Sequence, residues 1–364
     1  MKTLNIILKG FLLFIIFNLL FALLQPKIGR LSAYNILFPG RERLPFGENS
    51  AKAYNLSLFD LDAMFASHEI SGDEKQSDEF RVILIGDSSV WGTLLKPEET
   101  LAGQLNAANI SACGKNVRVY NLGYPTISLT KDVLLLSRAM EYQPDLVIWM
   151  TTLEAFPAEK QIASPLVANN EESLLRLASS SGLRVDPNDP AFSRDSFWGS
   201  TIIGKQRALA DVFRLQIYGV MWAATGIDQI YAAEYPKAQT DFEADQKFHE
   251  FEPPVLDINS LAMNALETGM NIAGDTPIII VNEPMLISAG KNSNIRYNFF
   301  YPRWAYDQYR ALMLEQSQKN NWAYVDLWDA VPATEFTNSA IHLTPAGEAQ
   351  LAEKLAPVIT AACK

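Results

Sequence analysis

Only three histidines and two cysteines occur in the 364 residues, so imidazole and thiol chemistry can be followed residue by residue. His342 stands in Ile341-His342-Leu343-Thr344-Pro345-Ala346-Gly347. Thr344 and Pro345 there are the residue types of an N-cap and first helical position, which puts His342 on the loop before a closing helix. A neutral imidazole in such a loop can act as a general base. Far upstream, Gly86-Asp87-Ser88-Ser89-Val90-Trp91-Gly92 follows an apolar, β-branched run. A serine hydroxyl is a weak nucleophile until a nearby base takes its proton, so Ser88 and His342 are a candidate nucleophile and base. The other two histidines read differently. His68 closes an amphipathic stretch that begins at Leu58 and also carries Asp60 and Asp62, which favours a solvated or capping role. His249, in Gln246-Lys247-Phe248-His249-Glu250, reads as a surface residue. Together with Cys113 and Cys363 they are too few for a typical Cys/His zinc site, and this reading calls for no metal and no cofactor. The two cysteines allow one disulfide without identifying a compartment.

The elements that must position Ser88 and His342 are legible as buried strands. Five apolar runs, Arg81 to Ile85, Val117 to Asn121, Leu146 to Met150, Pro277 to Val281 and Trp322 to Asp326, have the length and composition of strands covered on both faces. Helical patterns separate them at Leu101 to Asn109, Lys131 to Tyr142, Leu256 to Ile272 and Trp304 to Lys319, and Pro345 to Ala362 closes the chain. The alternation predicts a doubly wound α/β sheet whose carboxyl edge carries Ser88 and the loop of His342. No Gly-x-Gly-x-x-Gly follows the first strand, which disfavours a dinucleotide-binding enzyme. Residues 151 to 276 are too long for a single crossover and predict an insertion after the third strand. It holds a polar stretch, Asn169 to Arg194, and an aromatic-rich one, Ala208 to Tyr235. Within the latter, Val212 to Trp222 is too short to span a membrane; it reads as a core helix of the insertion, or as a surface that lies on a bilayer or binds an acyl chain.

The amino end has a different character. Leu4 to Leu24 is apolar apart from Asn5, Lys9, Asn18 and small residues, and matches the roughly 20 residues needed to cross a bilayer as a helix. Phe21-Ala22-Leu23-Leu24-Gln25-Pro26 offers no small-x-small cleavage site, which favours an uncleaved signal anchor over a removed signal peptide. Lys2 and Lys9 on one side, against Lys27, Arg30, Arg41 and Arg43 on the other, leave the orientation open. The expected organisation is a transmembrane anchor at 1–26, a juxtamembrane segment and linker at 27–79, and a body at 80–364. Turn signals at Pro39-Gly40 and Pro45-Phe46-Gly47, a possible N-cap at Ser57 and the acidic run Ser71 to Glu79 mark the linker. The whole chain has a formal charge of −11; without the anchor, 28 basic and 41 acidic residues leave −13. That balance, with no Lys/Arg stripe, argues against nucleic acid as a partner.

Gly86-Asp87-Ser88 after an opening strand, Gly123 in Tyr120-Asn121-Leu122-Gly123-Tyr124 after the second strand, and a final histidine before Thr-Pro-x-Gly resemble the SGNH/GDSL hydrolase family from about Arg81 to Ala362. The resemblance implies a flavodoxin-like three-layer α/β/α fold around a five-stranded parallel sheet. It implies serine esterase or acyltransferase chemistry: Ser88 as nucleophile, His342 as base and then acid, and the Ser88 and Gly123 amides as oxyanion donors. Two departures bear on activity. Where the family has Gly-x-Asn-Asp after the third strand, this chain has Met150-Thr151-Thr152-Leu153, so Thr152 replaces the Asn that donates to the oxyanion. Where the family has an Asp three residues before the histidine stands Ser339, preceded by Asn338. Asn338 is the preferred partner of His342, with Glu335, Asp326 and Glu283 as alternative carboxylates. The implied substrate is an acylated small molecule or glycan, such as an O-acetylated cell-surface glycan, with the body on the extracytoplasmic side. The alternative is a catalytically impaired protein of the same fold that binds glycan or lipid in surface assembly.

Overall fold

Along the strands, alternate residues enter two separate cores, as a sheet covered on both faces requires. Ile83, Ile85, Tyr120, Leu122, Val147, Trp149, Ile278 and Ile280 belong to one cluster, and Val82, Leu84, Val119, Leu146, Ile148, Met150, Ile279 and Val281 to the other. The computed structural model describes residues 2–31, 59–66, 68–72, 74–225 and 237–363. The turn signals at Pro39-Gly40 and Pro45-Phe46-Gly47, and Ser57, lie outside them.

Among the described residues the strands are β1 (Glu79–Gly86), β2 (Ser111–Ala112), β3 (Lys115–Gly123), β4 (Leu146–Thr151), β5 (Ile278–Asn282) and β6 (Ala323–Asp326). They form one sheet in the order β2-β3-β1-β4-β5-β6, parallel except for β2. The five expected parallel strands are therefore present, and the sheet has six strands rather than five. The addition is β2, a two-residue edge strand turned back on β3 through Cys113 and Gly114, too short to leave a hydrophobic pattern. Gly86 pairs with Gly123, Thr151 with Asn282 and Asn282 with Asp326, so the strands end along one carboxyl edge.

Among the described residues the α-helices are, in chain order, α1 (Lys2–Leu24), α2 (Leu61–Ala66), α3 (Ser88–Trp91), α4 (Leu101–Ala107), α5 (Leu129–Ala139), α6 (Pro165–Ala168), α7 (Glu171–Ser181), α8 (Gln206–Thr225), α9 (Met263–Ala273), α10 (Arg303–Asn320) and α11 (Pro345–Ala361). Residues of α5, α9 and α10 complete the first core, and those of α4 and α11 the second. The result is three layers, α/β/α. Between β4 and β5 the chain carries α6, α7, α8 and the crossover helix α9. Cys113, beside β2, and Cys363, just past α11, form a disulfide with a Cα–Cα distance of 5.3 Å.

Candidate active site

The turn after β1 is shaped by Asp87. Its carboxylate accepts the Ser89 N–H at 2.8 Å, capping α3, a single helical turn that Gly92 ends in the left-handed conformation with φ of 83°. Ser88 is the first residue of that turn, so its own N–H has no intrahelical acceptor. The turn lies very close to β3: a Cβ on Gly123 would sit 2.2 Å from the Trp91 backbone nitrogen. Glycine is therefore required at 123 by the approach of α3.

His342 is held by a different device. An antiparallel bridge between Phe336 and Leu343 closes the loop, and the Thr337 N–H and hydroxyl both donate to the His342 carbonyl, at 2.8 and 3.1 Å. The Leu286 N–H donates to the Ala340 carbonyl at 2.7 Å and ties the loop to the chain after β5. Thr344 caps α11 through the Gly347 N–H, as its residue type predicts.

These supports bring the two distant residues together. Ser88 Oγ lies 2.8 Å from His342 Nε2, and His342 Nδ1 lies 2.9 Å from Asn338 Oδ1. Because an amide oxygen only accepts, this arrangement places the imidazole proton on Nδ1 and leaves Nε2 to accept the Ser88 proton. Part of the ring reaches solvent, yet the protein packed around it holds the His342 pKa down to about 4, because burial disfavours the cation. At neutral pH the imidazole is the free base.

The alternative carboxylates are engaged elsewhere. Glu335 accepts from the Thr344 hydroxyl at the start of α11. Asp326 pairs with Arg310 at 2.8 Å and accepts from Asn282. Glu283 accepts from the Ser89 hydroxyl. Among the described residues, no carboxylate forms an ion pair with His342. Glu283 and Asp87 form a buried acidic pair on either side of Ser89, which donates to both. Burial pushes both pKa values up, the Asp87 charge raises Glu283 further, and Lys131 offsets part of the rise at Asp87.

Gly123 and Thr152, two of the residues expected to donate to an oxyanion, have hydrogen-bond partners within the protein. The Gly123 N–H donates to Asn121 Oδ1 at 3.0 Å, because the Asn121 side chain folds back along the end of β3 while its Nδ2 donates to the Val90 carbonyl. Thr152 is fully buried, and its hydroxyl shares a 2.8 Å hydrogen bond with the Tyr301 hydroxyl. Tyr301 also accepts the Glu154 N–H at 3.4 Å. Of the three expected donors, the Ser88 amide is the one these two bonds do not engage.

Lys131 at this edge has no counterpart in the sequence reading, and the two other histidines have partners that the sequence does not show. Lys131 is completely buried in α5; its ammonium donates to the carbonyls of Gly86, at 2.7 Å, and Tyr124, at 3.2 Å, and pairs with Asp132 at 2.7 Å. It thereby ties together the carboxyl ends of β1 and β3. His249 is exposed, as a surface residue should be, and it also has a partner. Its Nε2 lies 2.9 Å from Glu154, a buried carboxylate just after β4 that also pairs with Lys160. His68 is fully buried rather than solvated; its Nδ1 accepts the Ile70 N–H in a capping role, and its Nε2–H donates to the Asn121 carbonyl at 2.8 Å.

No family model matches this chain, and no curated protein does. Among solved structures, the chain is similar to a lipolytic protein of the G-D-S-L family from Veillonella parvula, with 12% identity, a TM-score of 0.35, and coverage of 77% of this chain and 98% of that one. It is similar at 13% identity and a TM-score of 0.34 to Est24, a carbohydrate acetylesterase from Sinorhizobium meliloti, covering 77% of this chain and 98% of that one. A third similar structure is the M. smegmatis aryl esterase, at 14% identity and a TM-score of 0.34, with the same coverages of 77% and 98%.

Proposed function

We propose that this protein is a serine esterase or acyltransferase that acts on an acyl ester, with O-acetyl groups of a cell-surface glycan as the favoured substrate class. The observation that carries the reading is the chain Ser88 Oγ, His342 Nε2, His342 Nδ1, Asn338 Oδ1, with contacts of 2.8 and 2.9 Å. In it, His342 takes the Ser88 proton as Oγ attacks the ester carbonyl, giving an acyl-serine and an alcohol that leaves with the proton from His342. Water or a sugar hydroxyl then attacks the acyl-serine, with His342 again as base. Asn338 fixes the ring without a charge, so the imidazolium intermediate gains orientation rather than ion-pair stabilisation. The Ser88 amide is the oxyanion donor best supported by the geometry.

The anchor and the disulfide support a location for this chemistry. α1 contains a span, Thr3–Leu24, with mean hydropathy of 2.6, long enough to cross a bilayer. A disulfide between Cys113 and Cys363 fits an oxidising compartment, which favours the body outside the cytoplasm. A specific observation favours a second reading, a catalytically impaired binding protein: the Gly123 amide and Thr152 hydroxyl are both engaged away from an oxyanion. Turnover of p-nitrophenyl acetate by the purified protein separates the two. The enzyme reading predicts hydrolysis that falls at least about 100-fold in both Ser88→Ala and His342→Ala; hydrolysis at buffer rate by the parent protein supports the binding reading.

A further inference from the structure

We infer that α8 and the turn before it form a second membrane contact, lying in the headgroup and upper acyl region of the bilayer that α1 crosses; this rests on the proposed reading of α1 as a membrane anchor. The inference begins with the two sides of α8. On its inner side, Val212 is buried against Ala63 of α2, and Ala208 and Val220 join them with Ile28 of the turn that follows α1. Its outer side is also apolar: Phe213, Ile217 and Met221 recur at every fourth position and are 68%, 59% and 55% exposed. A helix with apolar residues on opposite sides needs a second apolar surface beyond the core it already touches.

The preceding turn continues the same surface. Trp198 is 72% and Ile203 55% exposed, and Phe197 packs edge-on against Trp198. An exposed indole of this kind is the residue type enriched at membrane interfaces.

Contacts with α1 set the level of this surface. The Ile203 N–H donates to Asn18 Oδ1 at 3.2 Å, and Asn18 and Ala22 are the α1 side chains buried against the body. At a rise of 1.5 Å per residue, Thr3–Leu24 spans about 33 Å, close to the hydrocarbon thickness of about 30 Å, so Leu24 marks a boundary of the bilayer. Asn18 then lies about 9 Å inside that boundary, within the roughly 5–10 Å to which interfacial helices sink. Further along, the Gln216 side chain donates to the Leu31 carbonyl, so the middle of α8 lies beside the residues just past the span. α1 therefore brings the outer surface of α8 to the lipid, which is the occupant its chemistry fits.

The test uses the full chain in vesicles of phosphatidylcholine and phosphatidylglycerol. Because the native cysteines are paired, an introduced cysteine can be labelled selectively with nitrobenzoxadiazole, as Phe14→Cys, Trp198→Cys, Ile217→Cys or Glu172→Cys. Labels at 14, 198 and 217 are expected to lose at least about half their fluorescence to an acyl-chain spin label and little to aqueous iodide, whereas a label at 172 responds to iodide. Lipid quenching at 14 with iodide quenching at 198 and 217 overturns the inference and leaves the anchor intact. Iodide quenching at all four positions overturns both. Protection of 198 and 217 from both quenchers means that protein covers the face, and also overturns the inference.

Discussion

At the scale of single residues, the proposed chemistry depends on an imidazole that is neutral and correctly oriented. His342 has a pKa held down to about 4, and a general base works only when unprotonated, so activity is present above that value and is lost as pH falls through it. The acidic limb of kcat/KM is expected near pH 4; a limb at the ordinary histidine value would show that the ring is more hydrated than the structure has it. Asn338→Asp places a carboxylate at the Nδ1 contact, which stabilises imidazolium and moves that limb upward. Asn338→Ala removes one hydrogen bond of about 1 kcal/mol and is expected to lower kcat/KM roughly five- to tenfold without the upward shift of the limb. Ser88 and His342 could be proposed from residue type and from their places after an opening strand and before a closing helix, and Asn338 from the family resemblance; the structure brings the three within hydrogen-bond distance. Gly123 was expected as an oxyanion donor from the resemblance; its proximity to Trp91 and the folding back of Asn121 are tertiary facts with no local signal. The contact between Ser89 and Glu283 joins segments far apart in the chain, which also kept it out of view.

At the scale of elements, the edge that carries Ser88 depends on how β1 and β3 end. Lys131 donates to carbonyls from both regions while paired with Asp132, so its replacement by methionine leaves two carbonyls short of a donor and a buried carboxylate without its cation. Lys131→Met is expected to destabilise the fold by about 3–5 kcal/mol, read as a lower denaturant midpoint. A loss below about 1 kcal/mol would contradict the bracing role. The parallel strands could be found from sequence because strands covered on both faces become continuous apolar runs. Lys131 could not, because a lysine on a helix ordinarily reads as surface. The insertion was legible as an interval too long for one crossover, whereas α6 and α7 left little signal in polar sequence. Within α8, the run from Val212 to Trp222 suited either a core helix or a surface element; the structure gives it one buried side and one exposed apolar side.

At the scale of the whole molecule, the fold closes on itself through Cys113 and Cys363, which stand 250 residues apart. Cross-linking so long a loop restricts the unfolded chain, so replacing both cysteines by serine is expected to cost about 2–5 kcal/mol and to lower the thermal midpoint. An unchanged midpoint would show that the link does not constrain unfolding. The proposed catalytic pair is separated by 254 residues, with Ser88 in the turn after the first strand and His342 on the loop before the last helix. Their meeting is the central claim. Its most direct measurement is peptide mapping by mass spectrometry after treatment of the full chain with a fluorophosphonate. A single adduct on Ser88, lost in His342→Ala while the variant remains folded, is the predicted result. An adduct on Ser89, equal labelling without His342, or no adduct at all would contradict it.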